Sequence, residues 1–171
     1  DDEERVLKEL KKLVEDDRKK IEDVIETIER LAREDVERIK RVIEELRRLV
    51  KELEDGDLDK EVVRRLLEEI KRAVKEAVRE SEKTNDKIRR DVDRVVKDSK
   101  RTVKDIKRKV DEAGADEEIK EDVKRAADES EKLIRELRKA VKRVEEESRR
   151  LIEELEREVK EAEERLKRRT K

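Results

Sequence analysis

The chain has 171 residues, and among them are no cysteine, histidine, methionine, proline or aromatic residue and only two glycines. Without cysteine and histidine, zinc, haem, iron–sulfur and copper sites lose their usual ligands. Thiol and imidazole nucleophiles are excluded for the same reason. We therefore expect no metal site, no cofactor and no enzymatic activity.

Long apolar runs are also missing, which bears on membranes and nucleic acids. No run approaches the ~20 apolar residues of a membrane span, and no signal peptide opens the chain. Basic residues alternate with acidic ones, and no aromatic ring is available to stack on a nucleobase. We therefore expect no membrane or nucleic-acid binding, no required partner and no targeting signal.

The residues that are present are mostly charged: 62% are Asp, Glu, Lys or Arg, and 32% are hydrophobic. Such a composition is compatible with disorder when the net charge is high. Here 52 basic residues nearly cancel 54 acidic ones, and Leu, Ile, Val and Ala recur at regular intervals. Alternating charges on helix-forming residues favour solvated, stable helices instead.

The two glycines mark the points at which helices are expected to end. Gly56, in the segment Asp55-Gly56-Asp57, is predicted to adopt the left-handed conformation, with Asp57 capping the next helix. Gly114 repeats the pattern, with Asp116 as the following cap. The sequence therefore predicts three helices, at about 2–55, about 57–113 and about 116–170. Such short turns make neighbouring helices antiparallel, in an up-down-up order.

The apolar residues of each predicted helix repeat every eighteen residues. Eighteen residues make five turns of an unstrained α-helix, so this period calls for almost no supercoil. Each set forms one narrow stripe, as expected of a helix that packs in a small bundle. The prediction is an all-α, antiparallel three-helix bundle of nearly straight helices. In the second helix the repeating rows are Val63-Leu66-Ile70-Val74-Ala77, Ser81-Thr84-Ile88-Val92-Val95 and Ser99-Thr102-Ile106-Val110-Ala113.

Polar residues occupy the centre of each stripe at matching levels. Antiparallel pairing about the two glycines predicts two Asp–Ser–Ser layers and one apolar Leu–Val–Leu layer. The three predicted layers are Asp17 with Ser99 and Ser130, Asp35 with Ser81 and Ser148, and Leu53 with Val63 and Leu166.

A buried carboxylate needs several hydrogen-bond donors, and two serine hydroxyls can supply them. Thr102 is expected to extend the network around Asp17, and Thr84 and Asn85 the network around Asp35. The interpretation is structural: a shifted register would strand the carboxylates against Leu or Val. A bound ion or a water cluster is the alternative. Catalysis is disfavoured, because the base that would join an Asp to a nucleophilic Ser is missing.

The sequence resembles those of de novo designed helical bundles. The features that carry the resemblance are the eighteen-residue period, the turn Asp55-Gly56-Asp57, and the similarity of Ser130-Glu-Lys-Leu-Ile to Ser148-Arg-Arg-Leu-Ile. Some of those bundles contain buried hydrogen-bond networks. The resemblance implies one three-helix bundle over residues 1–171, a monomer that acts as a structural scaffold. An alternative is a designed interaction or switch module that docks a partner helix or protein through one helix or face. The resemblance carries over no functional residue.

Overall fold

The computed structural model describes residues 2–56 and 59–169, and within those ranges it contains three long α-helices and no strand. Helix α1 spans Asp2–Asp55, α2 spans Lys60–Glu112 and α3 spans Glu117–Arg169. The strong helix formers Lys, Arg, Glu and Leu are frequent in these segments, and no proline interrupts them. The predicted fold class, an all-α three-helix bundle, is confirmed.

Aspartate side chains cap the starts of α2 and α3. Asp57, the predicted cap of α2, lies outside the described residues. The Oδ1 atom of Asp59 accepts a hydrogen bond from the backbone N–H of Glu61 at 3.0 Å, and α2 begins at Lys60 rather than near residue 57. Asp116 accepts a hydrogen bond from the N–H of Ile119 at 3.0 Å, so the predicted cap of α3 is confirmed.

The two glycines differ in backbone conformation. Gly114 has a φ of 61°, and its N–H donates to the carbonyl of Asp111 at 3.2 Å. The N–H of Ala115 donates to the carbonyl of Val110 at 3.3 Å, which completes a Schellman motif. Gly56 does not have a positive φ, so the left-handed conformation predicted for it is wrong. Glycine permits that conformation but does not require it.

The helices pack into two compact units, each containing a segment of all three helices. Unit 1 comprises the described residues of Asp1–Glu29 and Lys87–Lys142, and unit 2 those of Arg30–Asp86 and Arg143–Lys171. The prediction of a single bundle over residues 1–171 stays a prediction.

Unit 1 has a core formed by one row of residues from each helix. Buried Leu10 of α1 packs with Ile106 and Val110 of α2 and with Val123 of α3. Since burying one such side chain contributes roughly 1.5–3 kcal/mol, the core rows supply the main force that holds the three segments together.

Unit 2 also has an apolar core, and its ion pairs show how the helices run. Arg47 of α1 lies 2.7 Å from Glu158 of α3, and Glu54 lies 2.8 Å from Arg165. Both pairs are separated by 111 positions, so α1 and α3 run parallel. Helix α2 runs antiparallel to them. The main apolar cluster of unit 2 contains the buried residues Ile39, Ile43, Leu46, Val50, Ile70, Val74, Ala77, Leu155, Val159 and Ala162.

The predicted Leu–Val–Leu layer is confirmed in unit 2. Val63 and Leu166 are buried in one cluster, and Leu53 packs against them. The pairing of Leu53, near the end of α1, with Val63, near the start of α2, is that of an antiparallel pair.

Candidate functional site: two buried Asp–Ser–Ser layers

The Asp17 layer, formed by Asp17, Ser99 and Ser130, lies in unit 1 and takes one residue from each helix. The hydroxyls of Ser99 and Ser130 both donate to the same oxygen, Oδ2 of Asp17, each at 3.0 Å. All three residues are buried, and the exposed fraction of Asp17 is 6%. Two direct donors from two different helices therefore hold this carboxylate.

The Asp35 layer, formed by Asp35, Ser81 and Ser148 in unit 2, has the same residue types but different hydrogen bonds. Ser81 Oγ donates to Oδ2 of Asp35 at 2.9 Å and lies 2.6 Å from Ser148 Oγ. Each hydroxyl has one proton, and Ser81 is the serine closer to the carboxylate, so the distances favour donation from Ser81 to Asp35 and from Ser148 to Ser81. Ser148 lies 3.5 Å from Asp35 Oδ2, too far for a strong direct bond. The layer is a relay of two hydrogen bonds.

An arginine that the sequence interpretation missed completes the Asp35 layer. Arg38, one turn further along α1, donates from Nη2 to Oδ1 of Asp35 at 2.6 Å. Its side chain is 35% exposed, whereas that of Asp35 is 3% exposed, so the guanidinium links a buried carboxylate to the surface. The spacing of three residues was the available signal, since side chains three apart lie on one helix face.

The predicted extension of both layers by threonine is wrong. Thr84 Oγ1 donates to the carbonyl of Glu80 at 3.0 Å, and Thr102 Oγ1 donates to that of Asp98 at 2.9 Å. In both cases the carbonyl lies four residues earlier in the same helix. A backbone acceptor within one turn is always available to a helical threonine, and it competes with more distant partners.

Asn85 does not join the Asp35 layer either. Its Oδ1 atom is buried and has no hydrogen-bond partner among the described residues. The Nε atom of Arg38 is likewise buried and has no hydrogen-bond partner among the described residues. Leaving a buried polar atom unpaired costs about 1–3 kcal/mol, so both positions lower the stability of unit 2.

A small cavity of about 10 Å³ adjoins the Asp17 layer. Asp17 and Ser130 supply its polar wall, and residues such as Val14, Ile106 and Ala127 supply the apolar one. A space of this size is at the lower limit for one water molecule. It has no room for a substrate.

The chemistry available to the two layers is narrow. In each, the serine hydroxyls are donors to a carboxylate or to another serine, and no histidine exists to take a proton from them. Within residues 2–56 and 59–169, no group of three or more acidic side chains is placed to hold a metal ion. Within the same residues, none of the three helices contains an apolar stretch that could span a bilayer.

No protein-family model and no curated protein matches the chain. Among solved structures, it is similar to a computationally designed three helix bundle, at 16% sequence identity and a TM-score of 0.46. That similarity covers 98% of this chain and 86% of the other. The chain itself forms three long helices.

Proposed function

We propose that this chain is a de novo designed structural scaffold without a natural biochemical activity, in which the two Asp–Ser–Ser layers fix the register of the helices. One observation carries the proposal. Each buried aspartate of α1 has a serine of α2 and a serine of α3 at its own level, in unit 1 and again in unit 2.

The physical basis is the cost of a wrong register. If one helix slid by a turn, Asp17 would face residues such as Val95 or Val103 rather than Ser99. An unpaired carboxylate in an apolar core costs several kcal/mol, whereas an apolar layer tolerates such a slide more easily. Two polar layers therefore penalise every shifted arrangement, which is a device of designed specificity.

A catalytic role receives no comparable support. A serine nucleophile needs a base that removes its proton and a site that a substrate can enter. Ser81 and Ser99 are 0% and 1% exposed, and both donate to a carboxylate. These contacts favour a structural role.

The register proposal can be tested with spin labels, because the chain has no cysteine of its own. Two exposed residues of unit 1, Lys8 of α1 and Lys139 of α3, would be replaced by cysteine and labelled. With both layers intact, we expect one narrow distance between the labels. With both aspartates changed to Leu and all four serines to Val, we expect a second distance, shifted by about 5 Å, the rise of one helical turn.

The matched control changes only one layer, since the other layer should still hold the register of the same helices. A single, unchanged distance after all six substitutions would contradict the proposal.

We also propose that the scaffold is a monomer. Sedimentation equilibrium should then give a mass of 20.6 kDa, and a dimer mass would contradict it.

A further inference from the structure

A groove of about 320 Å³ runs between α2 and α3 on the surface of unit 1. Its apolar floor includes Val103 of α2, which is half-buried, and Ile134 of α3. Ser99 and Ser130 also belong to the lining, so the groove meets the Asp17 layer at their level. Val103 and Ile134 therefore give the floor one apolar residue on each helix, and aliphatic side chains of another molecule could pack on them.

The charged residues that line this groove are almost all of one sign. Glu131 is the one acidic residue of the lining. Among the described residues, none of the basic ones forms an ion pair with Glu131 or with any other side chain. The five basic residues of the lining are Lys100, Lys104, Lys107, Arg135 and Arg138.

Other grooves of the protein are bridged by their own ion pairs. Between α1 and α3 of unit 2, Arg47 reaches Glu158 at 2.7 Å. Between α2 and α3 of unit 2, Lys71 reaches Glu163 at 3.0 Å. Charges that are already paired across a groove attract a charged partner only weakly. The groove of unit 1 is different, because its five basic residues form no ion pair with any described side chain.

We propose that the α2–α3 groove of unit 1 is a docking site for an acidic amphipathic helix. Such a helix would place aliphatic residues, spaced by three or four positions, on the floor formed by Val103 and Ile134. Its Glu and Asp residues would flank that row and meet the lysines and arginines of both rims. The site does not depend on the scaffold role proposed above.

The apolar floor favours a helix over an extended polyanion. A nucleic acid could be attracted by the five cations, but the chain has no aromatic side chain on which a base could stack. A polyanion would also leave the floor uncovered. A helix satisfies both parts of the groove at once.

The experiment uses the full chain and a fluorescein-labelled synthetic peptide of about 18 residues, about 27 Å when helical. The peptide has Leu at one helical stripe and Glu and Gln elsewhere, and its binding is followed by fluorescence anisotropy. We expect saturable binding that weakens with added salt. We expect the variant K100Q/K104Q/R138Q to bind about tenfold more weakly, because each lost surface ion pair contributes roughly twofold.

The matched control variant is K8Q/K12Q/K19Q, which removes three exposed cations from α1 of the same unit. It has the same net charge as the groove variant, and we expect its affinity to be within about twofold of the unmodified protein. Circular dichroism would check that both variants keep their helices. Equal loss of binding in the two variants would overturn the proposal, because it would mean attraction to net charge alone.

Further measurements distinguish an acidic amphipathic helix from the other molecules that could occupy the groove. A peptide of the same composition, with its leucines scattered around the helix, should bind much more weakly. If it or a single-stranded oligonucleotide binds as well as the amphipathic peptide, the groove only attracts polyanions and the proposal is wrong. If the protein alone forms a dimer that the groove variant abolishes, the occupant is a second copy of the chain, and the proposal is wrong as well.

Discussion

At the scale of single residues, the two layers show that identical side chains can be connected in different ways. Asp17 receives two serine hydroxyls directly, whereas Asp35 receives one hydroxyl and the guanidinium of Arg38. The third residue after each aspartate also differs, and it is Lys20 in one case and Arg38 in the other. Arginine presents a planar fork that suits a carboxylate, while lysine is a flexible point charge.

The contribution of the serines to stability can be measured on the Asp17 layer. We expect the double variant S99V/S130V to lower the free energy of unfolding by about 2–4 kcal/mol, because it orphans a buried carboxylate. Replacing Asp17 by Leu in the same variant should restore the stability or raise it above that of the unmodified protein. Denaturant melts decide this, and equal stabilities of the double and triple variants would show that the carboxylate is not buried as described.

Arg38 offers a second test at this scale, with Lys20 as its matched control. We expect R38M to lower the free energy of unfolding by about 1 kcal/mol, a value reduced by the partial exposure of the guanidinium. The variant K20M should cost less than about 0.5 kcal/mol, as usual for an exposed residue. If urea melts gave the two variants the same cost, the bond between Arg38 and Asp35 would contribute nothing specific.

At the scale of helices and turns, replacing the two glycines by alanine is expected to change the stability of the protein in different ways. In Gly114, with its φ of 61°, an added Cβ would be strained, so G114A should destabilise the protein by about 1–2 kcal/mol. Among the described residues, the atom nearest to a Cβ added at Gly56 is the carbonyl oxygen of Glu52, at an ordinary 3.6 Å. We expect G56A to be neutral or to stabilise by up to about 1 kcal/mol.

Thermal and chemical melts of both glycine variants provide the comparison. Each variant is the control for the other, because both change the same residue type beside the end of a helix. Similar destabilisation by the two changes would contradict the different conformations of Gly56 and Gly114.

Much of this architecture could be predicted from the sequence, and the reasons are physical. Periodicity places Asp17, Ser99 and Ser130 at the centres of their stripes, and the turns pair the helices by counting. Contacts that depend on a choice between competing partners could not be predicted in this way. Thr84 and Thr102 bond to their own helices, and the spacing of residues gives no sign of that preference.

The basic groove of unit 1 was also beyond the sequence interpretation. Overall, acidic and basic residues alternate and nearly cancel, so composition indicates no charged surface. The groove collects cations from two helices, Lys100 and Lys104 of α2 with Arg135 and Arg138 of α3. Only the packing of one helix against another determines which charges become neighbours.

At the scale of the whole molecule, stability depends on pH mainly through the carboxylates, since there is no histidine to titrate near neutrality. We expect the unfolding midpoint to change little between pH 6 and 8. In acid, protonation of the 54 carboxylates leaves up to 52 uncompensated positive charges, whose repulsion destabilises the folded state. Denaturant melts across this range provide the measurement, and a steep change between pH 6 and 8 would contradict the expectation.

Glu163 is one carboxylate whose contribution to stability is expected to be lost in acid. Hydrogen bonds from Lys71 and Lys167 lower the pKa of Glu163 below its usual value of 4.5. Because the pKa is lower in the folded state than in the unfolded one, the stabilisation is fully present above pH 4.5 and is lost as the pH falls through the lowered value. We therefore expect E163Q to be less stable than the unmodified protein at pH 7, with the difference shrinking in acid. The neighbouring exposed Glu164 is the control: E164Q should follow the unmodified protein at both pH values, and equal behaviour of the two variants would mean that the two lysines do not stabilise the Glu163 carboxylate.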